Sequence, residues 1–151
     1  MECAMKFLGV LLLFCSFSAF ALEKKIGAGM MFGNPTGVNG KYWLDNTKAI
    51  DGGMGFSFGR KTELSIHSDY LFHQKAVLFY NDVHPLDLYY GVGGRMEFSD
   101  GLEIGVRLPV GLTHFIEERN ADVFAEVAPV VDIISKIGIE FHFALGARYY
   151  F

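Results

Sequence analysis

Ile137-Gly138-Ile139-Glu140-Phe141-His142-Phe143-Ala144-Leu145-Gly146-Ala147-Arg148-Tyr149-Tyr150-Phe151 closes the chain with an apolar residue at every second position. Ile137, Ile139, Phe141, Phe143, Leu145, Ala147, Tyr149 and Phe151 form one row; Gly138, Glu140, His142, Ala144, Gly146, Arg148 and Tyr150 form the other. A period of two is that of a β-strand, whose side chains alternate between faces. A row that is apolar from end to end is the pattern of a strand with that face against lipid.

Working back from this stretch, seven more alternating segments are separated by turn residues. The eight spans are roughly 25–32, 37–44, 49–58, 63–72, 86–98, 102–116, 123–134 and 137–151. Between them stand Asn34-Pro35-Thr36, Asp45-Asn46-Thr47, Gly59-Arg60-Lys61, Ser99-Asp100-Gly101 and Ser135-Lys136, which are tight-turn chemistries. Sorted into faces, one side carries residues such as Ile26, Met30, Phe32, Val38, Met54, Phe56, Ile66, Tyr70, Val92, Met96, Val106 and Val127. The other carries Asp51, Glu63, His67, Asp69, Asp87, Arg95, Glu97, Glu103, Arg107, Glu126, Glu140, His142 and Arg148. Helical periodicity does not produce that separation.

Alternation does not say which face is inside, because a soluble lipocalin-like barrel turns its apolar side inward. Glycine decides. Ten of the 18 glycines fall on the charged face, at 27, 29, 53, 55, 91, 93, 105, 111, 138 and 146. Exposed glycine weakens a strand, whereas a narrow lumen needs small residues beside its long ones. The charged face therefore points in and the apolar face meets lipid. Aromatics such as Phe32, Phe72, Phe98, Tyr149 and Phe151 fall near strand ends, where aromatic girdles lie. The expected fold is all-β: an eight-stranded antiparallel up-and-down transmembrane β-barrel.

Residues 1–21 read as a signal peptide: Lys6 precedes the apolar run Phe7–Phe14, and Ala19-Phe20-Ala21 offers a cleavage site. Residues 22–151 are then the barrel domain, located in the outer membrane after cleavage near Ala21. Both cysteines, Cys3 and Cys15, leave with the signal, which suits an oxidising envelope. The net charge is −4 and no Lys/Arg cluster exists, which argues against nucleic acid as a partner. Beyond the signal, no apolar stretch approaches the length of a membrane-spanning helix.

The chain resembles the small eight-stranded outer-membrane barrels of Gram-negative bacteria. Gly146, Tyr149 and Phe151 are similar to the C-terminal signal read by the barrel-assembly machinery, departing from it at Leu145, where a polar residue is usual. Gly33-Asn34-Pro35-Thr36-Gly37, Gly105-Val106-Arg107-Leu108-Pro109-Val110-Gly111-Leu112 and Gly146-Ala147-Arg148-Tyr149-Tyr150-Phe151 look like those of an uncharacterised bacterial barrel family. So do Lys41-Tyr42-Trp43-Leu44, Tyr89-Tyr90-Gly91-Val92-Gly93-Gly94-Arg95 and Phe124-Ala125-Glu126-Val127-Ala128-Pro129-Val130. The resemblance implies a barrel, with outer-membrane lipid and the assembly machinery as partners. It carries no chemistry.

Inside such a barrel, Arg95, Arg107 and Arg148 stand among Glu97, Glu103, Glu126 and Glu140. Buried charges must be paired and hydrogen-bonded, so these seven are expected to form an ionic network that plugs the lumen. The competing reading is a charged pore. Ser65, His67 and Asp69 share a face of one strand, but residues two apart are separated by about 6.6 Å, too far for a direct Ser–His hydrogen bond. No catalytic residues, metal ligands or cofactor are assigned; His67, Asp69 and His142 as ligands rest on chance spacing. The expected role is structural or interactive. A lipid-modifying enzyme around His67 and a soluble periplasmic carrier of an apolar ligand are the alternatives.

Three local features complete the reading. Residues 73–85 form the longest connection, with an apolar Val77–Tyr80 core: either a contact site or a folded-over extension of the flanking strands. It falls on the same side as the termini, whereas outer-membrane barrels usually carry their long loops on the other. Pro109 and Pro129 sit inside strands and on different faces, so a bulge or kink is predicted there.

Overall fold

The computed structural model describes residues 24–58, 62–81, 84–134 and 137–151. The expected signal peptide lies outside these, as do the Gly59-Arg60-Lys61 and Ser135-Lys136 turns. Nine antiparallel strands follow in order: β1 (Ile26–Asn34), β2 (Thr36–Trp43), β3 (Lys48–Phe58), β4 (Thr62–Tyr80), β5 (His84–Phe98), β6 (Leu102–Arg107), β7 (Val110–Ile116), β8 (Ala121–Ile134) and β9 (Gly138–Tyr150). Each pairs with the next in the chain, β6 and β7 sharing the place between β5 and β8, and β9 returns to pair with β1. The sheet closes into a ring with no free side edge over most of its height.

The expected sixth strand, 102–116, is divided into β6 and β7 at Leu108–Pro109. Proline has no N–H, so the ladder loses a donor there. Two hydrogen bonds bridge the gap: Gly91 N–H donates to the Pro109 carbonyl and Leu108 N–H to the Pro129 carbonyl, both at 2.9 Å. Of the bulge or kink predicted at the prolines, the structure shows a break in the strand without a bulge. Arg107↔Val130 and Val110↔Val127 keep one register across the break, and Pro109 and Pro129 remain on opposite faces. The register shift lies instead between Ile104 and Gly105, where β8 carries the extra residue Ile133.

The 73–85 connection is no loop. Of the two readings, the extension of the flanking strands is the one found: β4 runs on to Tyr80 and β5 starts at His84, paired as Leu78↔Leu86, Phe79↔Pro85 and Tyr80↔His84. A bulge between Gln74 and Leu78 interrupts the pairing; Ala76 there has φ 53 and donates to Asp87 Oδ1 at 2.7 Å. The first turn is held by Thr36, whose Oγ1 accepts from Gly33 N–H (3.0 Å) and donates to the Gly33 carbonyl (2.9 Å). Gly33 takes φ 144, a conformation that a side chain would resist.

The faces fall as the glycines implied. Phe143 is 60% exposed and Val106 38% exposed on the outside, while Arg107 is 2% exposed within the ring. Met31, Leu71, Tyr89, Phe124 and Ala144 make a small apolar cluster inside, threaded among the charges.

Candidate functional site

The charged interior is built by parity. Inward positions alternate along each strand, so β5 delivers Arg95 and Glu97, β6 Arg107, β8 Asp122, Glu126 and Asp132, and β9 Glu140, His142 and Arg148. Each arginine has a glycine directly beside it in the sheet: Arg95↔Gly105, Arg107↔Gly93 and Arg148↔Gly29. A Cβ on Gly105 would lie 2.6 Å from Asp132 Oδ1, and one on Gly29 would lie 2.7 Å from the Arg148 Cα. The glycines clear the width that three guanidinium stems need.

The arginines define three layers along the ring. At the end away from the termini, Arg95 donates to Asp132 (2.7 Å), Glu140 (3.0 Å) and Glu97 (3.2 Å), with Glu103 at 4.0 Å. It also donates to His142 Nε2 at 2.9 Å; since a guanidinium only donates, His142 accepts there and keeps its proton on Nδ1. In the middle, Arg107 bridges Asp69 and Glu126, and the Tyr89 hydroxyl donates to Glu126 at 2.9 Å. At the terminal end, Arg148 bridges Asp51 and Asp122, and the Tyr150 hydroxyl donates to Asp122 at 2.7 Å. The Arg148 guanidinium lies 4.1 Å from the Phe124 ring centroid.

Aromatic rings close the terminal end. Trp43 packs on His73 with centroids 4.4 Å apart, and His73 stacks on Tyr89 at 5.3 Å. Lys41, buried beneath them, lies 4.5 Å from the Trp43 centroid and donates to His73 Nε2 at 2.6 Å. Just outside, the Asp45 carboxylate accepts from the Thr47 and Lys48 amides. The Thr47 amide is the main cause that holds the Asp45 carboxyl below its ordinary range.

All seven network residues face the interior, though not equally. Arg95, Glu97, Arg107 and Arg148 are buried, the side chains of Glu103 and Glu126 nearly so, and that of Glu140 is 53% exposed at the rim. Sequence reasoning placed Asp51 and Asp69 on this face without assigning them to the network, and passed over Lys41, Asp122 and Asp132. Their parity gives them away: Asp122 and Asp132 are even-numbered on β8, like Glu126, and Lys41 stands two residues from inward Trp43. Of the residues expected to form a C-terminal assembly signal, Tyr149 and Phe151 point outward with rings 5.7 Å apart, and Gly146 faces inward against Phe124.

The Ser65–His67–Asp69 row is buried. Among the described residues, Ser65 Oγ and His67 Nδ1 have no hydrogen-bond partner, so no nucleophile–base pair is formed. Asp51, His67 and Asp69 do bring ligand-type atoms within 4.8 Å of one another. Both carboxylates already have a cationic partner, Arg148 for Asp51 and Arg107 for Asp69. An added cation would sit beside two guanidinium groups. What the arrangement does chemically is neutralise charge and fill space.

Comparison with family models, with curated proteins and with solved structures returned no match.

Proposed function

We propose that this chain is an eight-stranded outer-membrane β-barrel whose lumen is plugged by its own ion pairs, with a structural or interactive rather than catalytic role. Counting β6 and β7 as one strand broken at Pro109 gives the eight. The observation that carries the reading is the inversion of the two faces: an apolar outer row on every strand around an interior built on Arg95, Arg107 and Arg148. Water solvates such an outer face poorly, and acyl chains solvate it well. Outward rings stand at both ends: Tyr42, Tyr70, Phe72, Tyr90, Tyr149 and Phe151 at the terminal end, and Phe32, Phe56, Phe98, Phe141 and Phe143 at the other. Rings at the two strand ends suit the two lipid–water boundaries.

The same reading takes bilayer lipid as the outer partner and the barrel-assembly machinery as the reader of Gly146, Tyr149 and Phe151. It is at home in the outer membrane after removal of residues 1–21. An apolar-ligand carrier would want an apolar cavity within, where these arginine layers stand. A lipid-modifying enzyme would want Ser65 within reach of an acyl ester, and Ser65 is fully buried.

The decisive experiment is fractionation with planar-bilayer recording. The protein is expected in the detergent-extracted envelope, with a heat-modifiable gel shift and no stable open conductance. Release with soluble periplasmic proteins overturns the membrane reading, and a persistent open channel overturns the plug.

A further inference from the structure

Beyond His73, among the described residues, β4 has no partner on its β3 side, and beyond Asp87↔Thr113 the ladder between β5 and β7 ends, leaving the tip of the β4–β5 ribbon paired only with itself. Its end is apolar on both faces: Val77, Leu78, Phe79 and Tyr80 are all exposed, Leu78 at 50% and Tyr80 at 63%. A two-stranded ribbon is marginal in water, and one that displays such side chains needs something to cover them.

The register says which side is covered. Gln74 pairs with Leu88 and Leu78 with Leu86, so four residues pass on β4 while two pass on β5. The bulge therefore inserts two residues, an even number, and side chains beyond it keep the face they had before it. The outward row Tyr70, Phe72 and Gln74 on β4 continues past the bulge as Leu78 and Tyr80; Tyr90 and Leu88 on β5 continue as Leu86 and His84. Contacts run along this row. Phe72 lies 5.2 Å from Tyr70 and 5.9 Å from Tyr90 between ring centroids. At the far end, His114, on an outward position of β7, donates through Nδ1 to the Pro85 carbonyl at 2.8 Å, and its ring meets that of His84 edge-on at 5.4 Å.

From this continuity we infer that the β4–β5 ribbon is a lipid-contacting finger: Leu78, Tyr80 and Leu86 rest in the bilayer at the terminal end of the ring and extend its apolar belt toward the headgroups. Leucine and tyrosine together suit that depth, the ring body in chains and the hydroxyl among headgroups. The inference rests on the membrane reading above, and its test separates the two.

Trp43 is the sole tryptophan. In a Trp43→Phe background, Tyr80→Trp reports on the finger and Phe143→Trp on the belt. Each is folded into vesicles of phosphatidylcholine and phosphatidylglycerol, with or without bromine on the acyl chains near the headgroup. Both variants are expected to lose emission in the brominated vesicles and to resist quenching by iodide. If Tyr80→Trp keeps its emission and is quenched by iodide while Phe143→Trp is quenched by bromine, the finger stands in water and the inference falls alone. If Tyr80→Trp is shielded from both quenchers, a protein covers it, a second copy included, and the inference again falls. If neither variant responds to bromine, the membrane reading falls with it. Leu78→Trp, on the same row, repeats the test should Tyr80→Trp fail to fold.

Discussion

At the end of the ring where β1 begins and β9 ends, Arg148 is gripped by Asp51 and Asp122 and covered by Phe124, with Tyr150, Tyr89, His73 and Trp43 around it. At the other end, Arg95 has more carboxylates about it but fewer rings, and one of its partners, Glu140, is half in solvent. The same ion-pair chemistry is therefore set in two media, one sealed by aromatic groups and the other close to water. A buried pair that loses one member strands the other, whereas water takes over part of the work at a rim.

That contrast sets an order of effects. Arg148→Ala is expected to cost the most, about 3–5 kcal/mol, because it takes from Asp51 and Asp122 the guanidinium that pairs them in a closed site. Urea unfolding in detergent micelles measures it. Arg95→Ala is expected to cost less, about 1–3 kcal/mol, with a loss that shrinks as salt is added and Glu140 is screened. A larger loss at Arg95 than at Arg148 would break the comparison.

Glycine sharpens it further. A Cβ on Gly146, at the sealed end, would meet the Phe124 ring and the Met30 carbonyl; one on Gly138, at the open end, meets nothing within 4 Å. Gly146→Ala should cost about 1–3 kcal/mol through overpacking. Gly138→Ala should stay within about 0.5 kcal/mol of the parent in the same unfolding assay.

The smallest effect lies outside the ring wall. Asp45 holds the β2–β3 turn through the Thr47 and Lys48 amides, and its carboxyl is shifted below the ordinary range. A lowered carboxyl stabilises the turn above its unfolded-state pKa and loses that effect as pH falls through the folded value. Amide exchange at Thr47 and Lys48 should therefore quicken in Asp45→Ala at neutral pH. In strong acid the variant and parent should converge.

What the chain discloses on reading follows from how far apart its contacts are in sequence. Period-two patterning placed each strand within a few residues, apart from the β4 extension, because alternation is local. It ended the fourth span at Phe72 and left 73–85 as either a contact site or an extension of the flanking strands, because Val77–Tyr80 is apolar on both faces and no period survives there. It expected a bulge or kink at Pro109 and Pro129; the strand does break at Leu108–Pro109, but the register shift lies at Ile133, which leaves no chemical mark. In the interior, parity identified the arginines and most carboxylates, but not who meets whom. Arg148 and Asp51 are 97 residues apart, and their meeting depends on the width of the closed ring. Pairing across a lumen is a property of circumference, which no single strand encodes.

That 97-residue contact has a consequence for assembly. Asp51 arrives on the third strand and Asp122 on the eighth, but the guanidinium that reconciles them comes only with β9. A sheet lacking its final strand is left with two open borders and with Asp51 and Asp122 missing their shared guanidinium. Because β9 brings Glu140 along with Arg148, its docking leaves the summed interior charge unchanged; what it does in a single act is shut the ring and join Asp51 to Asp122.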